Sequence, residues 1–340
     1  TPTGETDRTD RLRGEPRTWS AKRPIASVII PNWNGAAYIP ACLASLRRQT
    51  LPEFEVIVAD NASTDGSLAL LARDYPEVHV VALGTNQGFT GACNAGLEVA
   101  RGEFVVLLNN DTEADAHWIE EIVAAFGRHP DAGLVASKML LFDRRDTLHT
   151  AGDYYRVNGI PGNRGVWQRD VGQYETEEYV FSACGGTAAY RRAMLDQIGT
   201  LDQDFFFSCE DLDLAWRAQL AGWRCVYAPR AIVYHKLGAT GGGTTASFYD
   251  GRNMIYLLAK DYPGDLWRNH WRTVVRAQGN ITIEALRAWR GAAARARLRG
   301  QIAGIIGIPR LLCKRRSVQR TRVVDRTYLD SILTGVDESP

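Results

Sequence analysis

Several features that would narrow the function of a 340-residue chain are absent from this sequence. Its six cysteines form no C-x-x-C pair and show no disulfide-framework spacing, which favours a reduced, cytoplasmic compartment. No run of about 18 apolar residues occurs, so we expect no membrane-spanning helix. Residues 1–23 are polar and charged throughout, so they predict a disordered arm rather than a secretory signal.

Two common phosphate-binding motifs are missing as well. The G-x-G-x-x-G of dinucleotide dehydrogenases should follow the first strand, where residues 31–35 read P-N-W-N-G instead. The G-x-x-x-x-G-K-[ST] loop occurs nowhere in the chain. If the protein binds a phosphate group, we therefore expect a bound metal ion, rather than a glycine-rich loop, to hold it.

The chain does contain a strongly basic segment towards its C-terminal end. The net charge is +1, yet residues 267–326 hold fifteen Lys and Arg against two acids, so that segment carries +13 and the remainder −12. Because Trp267 and Trp271 share the helical spacing of these arginines, we predict a basic helical extension at residues 263–340 that lies on an anionic membrane surface. The alternatives are a solvated helix packed on the preceding domain, and nucleic-acid binding, for which no accompanying module is present. We therefore expect no nucleic-acid partner, and a cytoplasmic protein at the inner face of the plasma membrane.

Residues 24–262 alternate between strand and helix patterns. Short apolar, β-branched runs predict strands at 25–30, 54–59, 78–83, 104–108, 134–142, 180–190, 223–227 and 231–235. Helical patterns lie between them, among others at 38–49, 91–101 and 118–126. This order predicts a Rossmann-like α/β domain with a mostly parallel sheet and helices on both faces.

Polar clusters follow the predicted strands at their carboxyl ends. These residues are Asn32, Asn34, Asp60, Asn61, Asn86 and residues 109–111. Ligands of parallel α/β sheets bind at that edge, so the pattern predicts a nucleotide site there.

Four residues are considered as metal ligands or catalytic residues. Asp111 ends a buried strand and is a hard oxygen ligand suited to Mg²⁺ or Mn²⁺; the alternative is an acid that caps the next helix or fills a turn. His235 ends a later strand and is either a second ligand or a structural residue. His149 could face the site or fill a turn, and we expect the turn. Asp211 follows three aromatics at the start of a helix, where an acid can have a perturbed pKa or merely cap the helix.

The order and spacing of these segments resemble the inverting nucleotide-sugar glycosyltransferases of family 2, which have the GT-A fold. Within that family the chain is most similar to bacterial rhamnosyltransferases of cell-wall and surface-polysaccharide assembly. The matching segments are residues 28–35, 58–67, 86–89, 107–112, 185–192, 206–214, 222–223, 235 and 252–253.

The resemblance implies roles for individual residues. Asp211 would be the catalytic base with Glu210 beside it, Asp111 and His235 would hold Mg²⁺ or Mn²⁺, and Asp60 would accept a hydrogen bond from the donor's base. The other nucleotide-sugar contacts that it implies are Pro31, Asn32, Trp33, Asn34, Asn61, Ser63, Asn86, Gly88, Asn94, Asn109, Asn110, Gly185, Gly186 and Arg252. The chain departs from the family at Asn109, which replaces the first acid of the D-x-D motif and brings no charge to a metal.

The implied function is transfer of a sugar, with dTDP-L-rhamnose as the expected donor, to a hydroxyl of a lipid- or polysaccharide-linked glycan. One alternative keeps the fold and uses a UDP-hexose or UDP-galactofuranose donor. The other is a scaffold that binds nucleotide sugars without catalysis, which Asn109 favours and which the presence of Asp111, Asp211 and His235 disfavours.

Overall fold

The structure is a computed structural model that describes residues 23–236 and 242–338. Apart from Arg23, the arm predicted at residues 1–23 lies outside the described residues. The strands are β1 Ala26–Asn32, β2 Phe54–Asp60, β3 His79–Ala82, β4 Phe104–Leu107, β5 Thr112–Ala114, β6 Ala132–Leu141, β7 Leu148–Ala151, β8 Asp153–Tyr155, β9 Pro161–Asn163, β10 Glu178–Val180, β11 Ala189–Arg191 and β12 Arg224–His235. The helices are α1 Ile39–Arg47, α2 Ser67–Asp74, α3 Gly88–Val99, α4 Trp118–Arg128, α5 Arg192–Ile198, α6 Glu210–Leu220, α7 Thr244–Lys260, α8 Gly264–Arg287, α9 Ala292–Arg320 and α10 Arg326–Ile332.

One large sheet organises the fold. Its order is β10-β12-β6-β11-β4-β1-β2-β3, with β5 added beside β12 and β7 beside β6. The four strands β3, β2, β1 and β4 run parallel, as do β6 and β12, and these are the longest ladders. The antiparallel ladders that join β11, β10, β5 and β7 to the sheet are short. The predicted α/β fold with a mostly parallel sheet is therefore confirmed.

Both faces of the sheet are buried under helices. In β1, Val28 and Ile30 point into the layer shared with α1 and α4, while Ile29 points into the layer shared with α3 and α6. Helix α3 lies so close to β1 that a Cβ at Gly96 would approach Ile29 Cγ2 to 2.4 Å. This two-sided burial explains why the strand reads as a continuous apolar run rather than an alternating one.

Two predictions about strands are wrong. The single strand predicted at 180–190 is divided into β10 and β11, which lie at different places in the sheet and are separated by a turn that contains Gly185 and Gly186. The two strands predicted at 223–227 and 231–235 are one strand, β12. Its ladder with β6 shifts register between Ala228 and Ile232, and this irregularity accommodates Pro229, which has no N–H to donate.

The C-terminal helices pack against the rest of the chain. Helix α9 packs closely against α7, and the absence of a side chain at Gly300 permits this approach. A Cβ at Gly300 would lie 2.0 Å from the carbonyl oxygen of Phe248. Leu311 of α9 and Leu329 of α10 are fully buried in the same hydrophobic cluster as the core of the sheet. The boundary predicted near residue 263 falls between α7 and α8 and stays a prediction. Among the described helices, none is long and apolar enough to cross a membrane.

Candidate active site

A cavity of about 570 Å³ opens beyond the carboxyl ends of β1, β2 and β4. The predicted site residues that line it are Pro31, Asn32, Trp33, Asn61, Asn86, Gly88, Asn109, Asn110, Asp111, Gly185, Gly186, Glu210, Asp211 and His235. Residues that were not predicted as site residues line it too: Phe89, Ala92, His149, Cys184, Phe206, Phe207, Ser208, Gly242, Thr245, Ala246 and Asp250. The structure thus brings segments from most of the chain to one place.

Five predicted residues are not in the lining of this cavity. They are Asn34, Asp60, Ser63, Asn94 and Arg252. The side-chain amide of Asn94 both donates to and accepts from the backbone of Leu201, which holds two segments of the fold together. Arg252 donates to the carbonyls of Asp204 and Phe205 and so supports the loop before α6.

Asp60 lies underneath one end of the cavity and supports the residues that line it. It is completely buried, and its carboxylate accepts hydrogen bonds from Asn32 Nδ2 at 2.8 Å and from the N–H of Ser63 at 3.0 Å. Asn110 Nδ2 in turn donates to Asn32 Oδ1 at 2.7 Å. A Cβ at Gly35 would come within 2.1 Å of Asn110 Nδ2, so only glycine fits beside this network. The network fixes the orientation of the asparagine amides in the loop after β1.

A second amide network lies beside the first. Asn61 Nδ2 donates to Asn86 Oδ1 at 2.9 Å, and the same oxygen accepts from the N–H of Gly88. Trp33 is about half exposed, at 49%, on the rim of the cavity. Asparagine amides held by these hydrogen bonds, together with an exposed indole, are suited to binding a ring system with polar edges, such as a nucleobase.

Asp111 and His235 meet at another part of the cavity. β12 pairs antiparallel with β5 so that His235 is opposite Thr112, which brings Asp111 beside it. The distance from His235 Nε2 to Asp111 Oδ1 is 3.2 Å. Nevertheless, Asp111 Oδ1 is buried and makes no hydrogen bond within the described part of the chain. A buried carboxylate oxygen without a donor, next to an imidazole nitrogen, fits a shared divalent cation.

His149 joins this pair, so the prediction that it fills a turn is wrong. It lies in β7, where the ladder with β6 shifts register between Met139 and Leu140. Such an irregularity can re-aim a side chain, and the ring of His149 stacks on His235 at 5.1 Å between centroids. Burial and the neighbouring His235 lower the pKa of His149 to about 4.

The charge of the cavity also favours a cation. Its lining contains the acidic side chains of Asp111, Glu210, Asp211 and Asp250, and no Lys or Arg among the described residues. A diphosphate would enter this acidic environment without a protein cation to neutralise it. The Asp111–His235 pair offers oxygen and nitrogen atoms that are suitable ligands for a divalent ion.

Another acidic group fits a metal less well. Ligand atoms of Asp153, Cys184 and Asp211 all lie within 4.8 Å of one another. Burial raises the pKa of the Cys184 thiol well above its usual value, and burial together with Asp211 raises the pKa of Asp153 to about 8. Metal ligands must be deprotonated, so a metal ion bound here would have to displace protons that burial favours on both groups.

Asp211 lies in the first turn of α6, with its carboxylate held by the backbone. Its Oδ2 accepts from the N–H of Gly185 at 2.7 Å, and its Oδ1 accepts from the N–H of Leu212 at 2.8 Å. Burial raises the pKa of Asp211, and these hydrogen bonds act in the opposite direction without cancelling it. Burial and the charge of Asp211 raise the pKa of Glu210 well above its usual range. The pair therefore consists of an oriented carboxylate and a neighbour that tends to stay protonated.

Gly185 and Gly186 connect the acidic pair to the D-x-D-like segment. A Cβ at Gly185 would lie 3.2 Å from Asp211 Oδ2, and a Cβ at Gly186 would lie 3.0 Å from Asn109 Nδ2. The two functional segments therefore flank a single dipeptide, which explains the paired glycines in this turn.

The loop that leads into α6 has a strained backbone. Phe206, Ser208 and Cys209 all have positive φ angles, of 60°, 68° and 66°, which non-glycine residues rarely adopt. The buried Asn253 of α7 donates from Nδ2 to the carbonyls of Phe205, Phe207 and Ser208. Sequence reasoning missed Asn253 as a support of this loop, because its long-range contacts leave no periodic signal.

Comparisons with known proteins show which family this chain belongs to. The sequence pattern of glycosyl transferase family 2 matches residues 27–199, just over half of the chain. The N-acetylglucosaminyl-diphospho-decaprenol L-rhamnosyltransferase of Mycobacterium tuberculosis is 26% identical over 299 residues, which cover 81% of this chain and 96% of that protein. A PGL/p-HBAD biosynthesis glycosyltransferase of Mycobacterium bovis is 34% identical over 180 residues, covering 52% of this chain and 62% of that protein.

Two solved structures share the fold at lower identity. The mannosyltransferase PcManGT from Pyrobaculum calidifontis, in complex with GDP-Man and Mn²⁺, has a TM-score of 0.52 at 17% identity and covers 96% of this chain and 88% of its own. S. aureus TarS 1-349 in complex with UDP has a TM-score of 0.53 at 20% identity, covering 87% of this chain and 90% of its own. The resemblance drawn from the sequence motifs is thereby confirmed. This chain belongs to glycosyl transferase family 2 and is a glycosyltransferase with the GT-A fold.

Proposed function

We propose that this glycosyltransferase moves one sugar from a nucleotide-sugar donor to a hydroxyl of a glycan acceptor with inversion, and that Asp211 is the base. The observation that carries the proposal is the position of Asp211, whose two oxygens are held by backbone N–H groups inside the cavity. A hydroxyl is a poor nucleophile until a carboxylate takes its proton during attack. A carboxylate with a raised pKa is a stronger base for that step.

The neighbours of Asp211 favour a single displacement. The acceptor oxygen bonds to the anomeric carbon while that carbon's bond to the diphosphate oxygen breaks, and the hydroxyl proton passes to Asp211. A double displacement needs a second carboxylate as nucleophile. Asp213 is completely buried and paired with Arg217 and Lys260, and burial beside Asp211 raises the pKa of Glu210, which disfavours its ionised, nucleophilic form.

Asp111 and His235 would hold a divalent metal, Mg²⁺ or Mn²⁺. When bound, such a cation supplies a Lewis acid that offsets the negative charge of the leaving diphosphate. The unbonded Asp111 Oδ1 and the absence of Lys and Arg from the described lining support this assignment. The Mn²⁺ that accompanies GDP-Man in PcManGT supports it by analogy. Asn109 contributes no charge, so we expect weaker metal binding than a D-x-D motif gives.

The donor that we propose is dTDP-L-rhamnose, and the acceptor is a lipid-linked glycan. The rhamnosyltransferase from Mycobacterium tuberculosis supports both, because its name specifies an L-rhamnosyl donor group and a diphospho-decaprenol acceptor. The hydrogen-bonded side-chain amides of the lining would then contact the base and ribose of the donor; they belong to Asn32, Asn61, Asn86 and Asn110. UDP-hexoses and UDP-galactofuranose are the alternative donors.

We further propose that α8 and α9 place the enzyme on the anionic inner face of the plasma membrane. On α9 the glycines that contact α7 lie on one face, so Ile302, Ile305 and Ile306 are on the opposite one, where Ile306 is 74% exposed. Tryptophans are also exposed on α8 and in the turn that follows it: Trp267, Trp271 and Trp289. Apolar side chains flanked by arginines are typical of helices that lie in an anionic membrane interface.

Helix α9 contacts one residue of the cavity lining. Arg297 of α9 forms an ion pair with Asp250, which lines the cavity, over 3.3 Å. A bilayer against α9 would therefore be close to the site, as a lipid-linked acceptor requires.

The proposal is tested by release of nucleoside diphosphate from a panel of donors, in the presence of a lipid-linked glycan extract. We expect release from dTDP-L-rhamnose, dependent on Mg²⁺ or Mn²⁺ and abolished by EDTA. Release from a UDP-sugar and not from dTDP-L-rhamnose would show that the donor is a UDP-sugar. Release that EDTA leaves unchanged would contradict the proposed role of a divalent metal. Tight binding of a donor without any release would support the scaffold alternative, which the neutral Asn109 favours.

A further inference from the structure

We propose that Arg310 and Lys314 of α9 are positioning residues for the transfer reaction, because they hold the loop that leads to the proposed base Asp211. That loop, residues 199–209 between α5 and α6, we call the α6 loop. The inference rests on the proposed role of Asp211, and it gives part of the basic C-terminal segment a function in catalysis.

Two aspartates of the α6 loop are paired with α9. Lys314 Nζ lies 2.6 Å from Asp202 Oδ1 and 2.8 Å from Asp204 Oδ2, so it bridges the two carboxylates. Arg310 binds Asp204 with two nitrogens: Nε donates to Oδ2 at 2.7 Å, and Nη2 pairs with Oδ1. The two aspartate side chains are only 11% and 12% exposed. Carboxylates so largely removed from water depend on their partner cations.

The α6 loop needs this support because its backbone is strained. The positive φ angles at Phe206, Ser208 and Cys209 are unfavourable for residues with a side chain, and such angles persist only where the surroundings fix them. Asn253 of α7 binds three carbonyls in the second half of the loop. The two α9 cations bind the first half through its aspartates. Since Cys209 is only two residues before Asp211, the support of the loop is also the support of the base.

The two cations lie on a part of α9 that is anchored in the protein. Leu311, which lies between them in the chain, is fully buried. One turn earlier, a Cβ at Gly307 would lie 2.6 Å from Cε1 of Tyr256 on α7, so the two helices are in close contact there. Arg310 and Lys314 are four residues apart and therefore lie on the same side of α9. An anchored helix thus presents both charges to the α6 loop in a fixed position.

A third contact from α9 reaches the same loop. Arg297 pairs with Asp250, and the other oxygen of that carboxylate accepts a hydrogen bond from Ser208 Oγ at 2.6 Å. Cations from the segment with a net charge of +13 therefore neutralise acids at three places in the remainder of the chain. A basic segment that only bound an anionic surface would need no such partners.

Three full-length variants test the role of the charges. Arg310→Gln/Lys314→Gln removes both cations, and Arg310→Lys/Lys314→Arg keeps both. Arg316→Gln is the control, because Arg316 is exposed on the same helix. Hydrogen–deuterium exchange followed by mass spectrometry measures the opening of the α6 loop, and the thermal unfolding midpoint reports folding. Transfer is measured with a lipid-linked glycan extract dispersed in detergent, so that membrane binding does not affect the rate.

We expect the neutral double variant to exchange at least several-fold faster than the wild type at residues 199–214. Exchange in β1, in β2 and around Leu311 should stay unchanged, because α9 remains in place. The kcat should fall about tenfold with donor affinity within about twofold of the wild type, since a displaced base slows the chemical step without removing donor contacts. The charge-keeping variant and Arg316→Gln should both behave like the wild type.

A double-mutant cycle shows whether Arg310 acts through Asp204. The kcat of Asp204→Asn/Arg310→Gln should be close to that of the slower single variant, whereas a loss equal to the product of the two single losses would mean that the residues act independently. The single Arg310→Gln protein also carries the exchange comparison if the neutral double variant does not fold.

Unchanged exchange of the α6 loop in the folded neutral variant would overturn the inference, and so would an unchanged kcat. An equal loss in the charge-keeping variant would overturn it too, because charge would then not be what holds the loop. If the wild type transfers no sugar from any donor, the proposed function fails, and the exchange measurement still decides whether α9 holds the loop.

Discussion

The N–H of Gly185 donates to Oδ2 of Asp211 over 2.7 Å, and this bond links the turn between β10 and β11 to the first turn of α6. It holds the proposed base from the side of the sheet, while the N–H of Leu212 holds it from its own helix. The position of the base therefore depends on a backbone contact that leaves little room for a Cβ at Gly185.

Substitution of Gly185 tests that dependence. A Cβ there would lie 3.2 Å from both Asp211 Oδ2 and Glu210 Oε1, so Gly185→Ala should displace the carboxylate by a few tenths of an ångström. We expect the rate of transfer to fall by about 10- to 100-fold, because small misplacements of reacting groups are costly. The control is Gly127→Ala in α4, where a Cβ would meet nothing within 4 Å. Equal rates for the two variants would show that Asp211 is not held in this way.

Restoring an acid at Asn109 should strengthen metal binding. Asn109→Asp adds a negative charge close to Asp111 and recreates the D-x-D pattern, and added ligand charge raises the affinity of oxygen sites for divalent cations. We expect Mn²⁺ to bind on the order of tenfold more tightly, as measured by titration with EPR detection. The neighbouring Asn110→Asp serves as the comparison, because the amide of Asn110 is engaged with Asn32. An unchanged affinity in Asn109→Asp would place the metal elsewhere.

The buried Asp153 should make stability depend on pH. Burial and the charge of Asp211 raise the pKa of Asp153 from 3.8 to about 8. As the pH rises through this interval, the unfolded chain has released a proton that the folded protein retains, so the free energy of unfolding falls. Asp153→Asn removes this contribution, and its stability relative to the wild type should increase with pH. Urea unfolding of both proteins at about pH 5 and about pH 8 measures the difference.

The exposed Asp143→Asn provides the control for that experiment. Its stability relative to the wild type should change little between the two pH values. If the difference in unfolding free energy between Asp153→Asn and the wild type were the same at both pH values, the pKa of Asp153 would not be raised in the folded protein.

The outward face of α9 should determine membrane binding. Replacing Ile302, Ile305 and Ile306 by serine removes exposed apolar side chains that contribute little to the core, so folding should be preserved. We expect co-sedimentation with anionic vesicles to fall at least several-fold, since interfacial binding scales with buried apolar area. Val171→Ser is the control, because Val171 and Ile306 are both 74% exposed. Unchanged sedimentation of the triple variant would refute the membrane face.

Much of the sheet and of the cavity could be predicted from the sequence. Apolar runs mark buried strands by their composition alone, and the polar residues that end them must share one edge of a parallel sheet. Asn32, Asn61 and Asp111 therefore reach the cavity as expected. Asn94 and Arg252 do not, because a motif identifies a position in the chain and not the direction in which its side chain points.

The features that were missed depend on contacts between distant segments. His149 reaches the cavity only because the ladder between β6 and β7 shifts register, and no local pattern reports that shift. Similarly, a turn interrupts an apolar stretch that reads as one strand. Gly185 in that turn binds Asp211, 26 residues further along the chain, and no local pattern reports this contact.

The most direct test of the account is the rate of sugar transfer by Asp211→Asn, measured beside its affinity for the donor. The asparagine keeps the size of the side chain and can still accept a hydrogen bond from Gly185, but it cannot take a proton from the acceptor. The account predicts a fall in kcat of about 10²- to 10⁴-fold with donor affinity nearly unchanged. Transfer at close to the wild-type rate would contradict the assignment of Asp211 as the base.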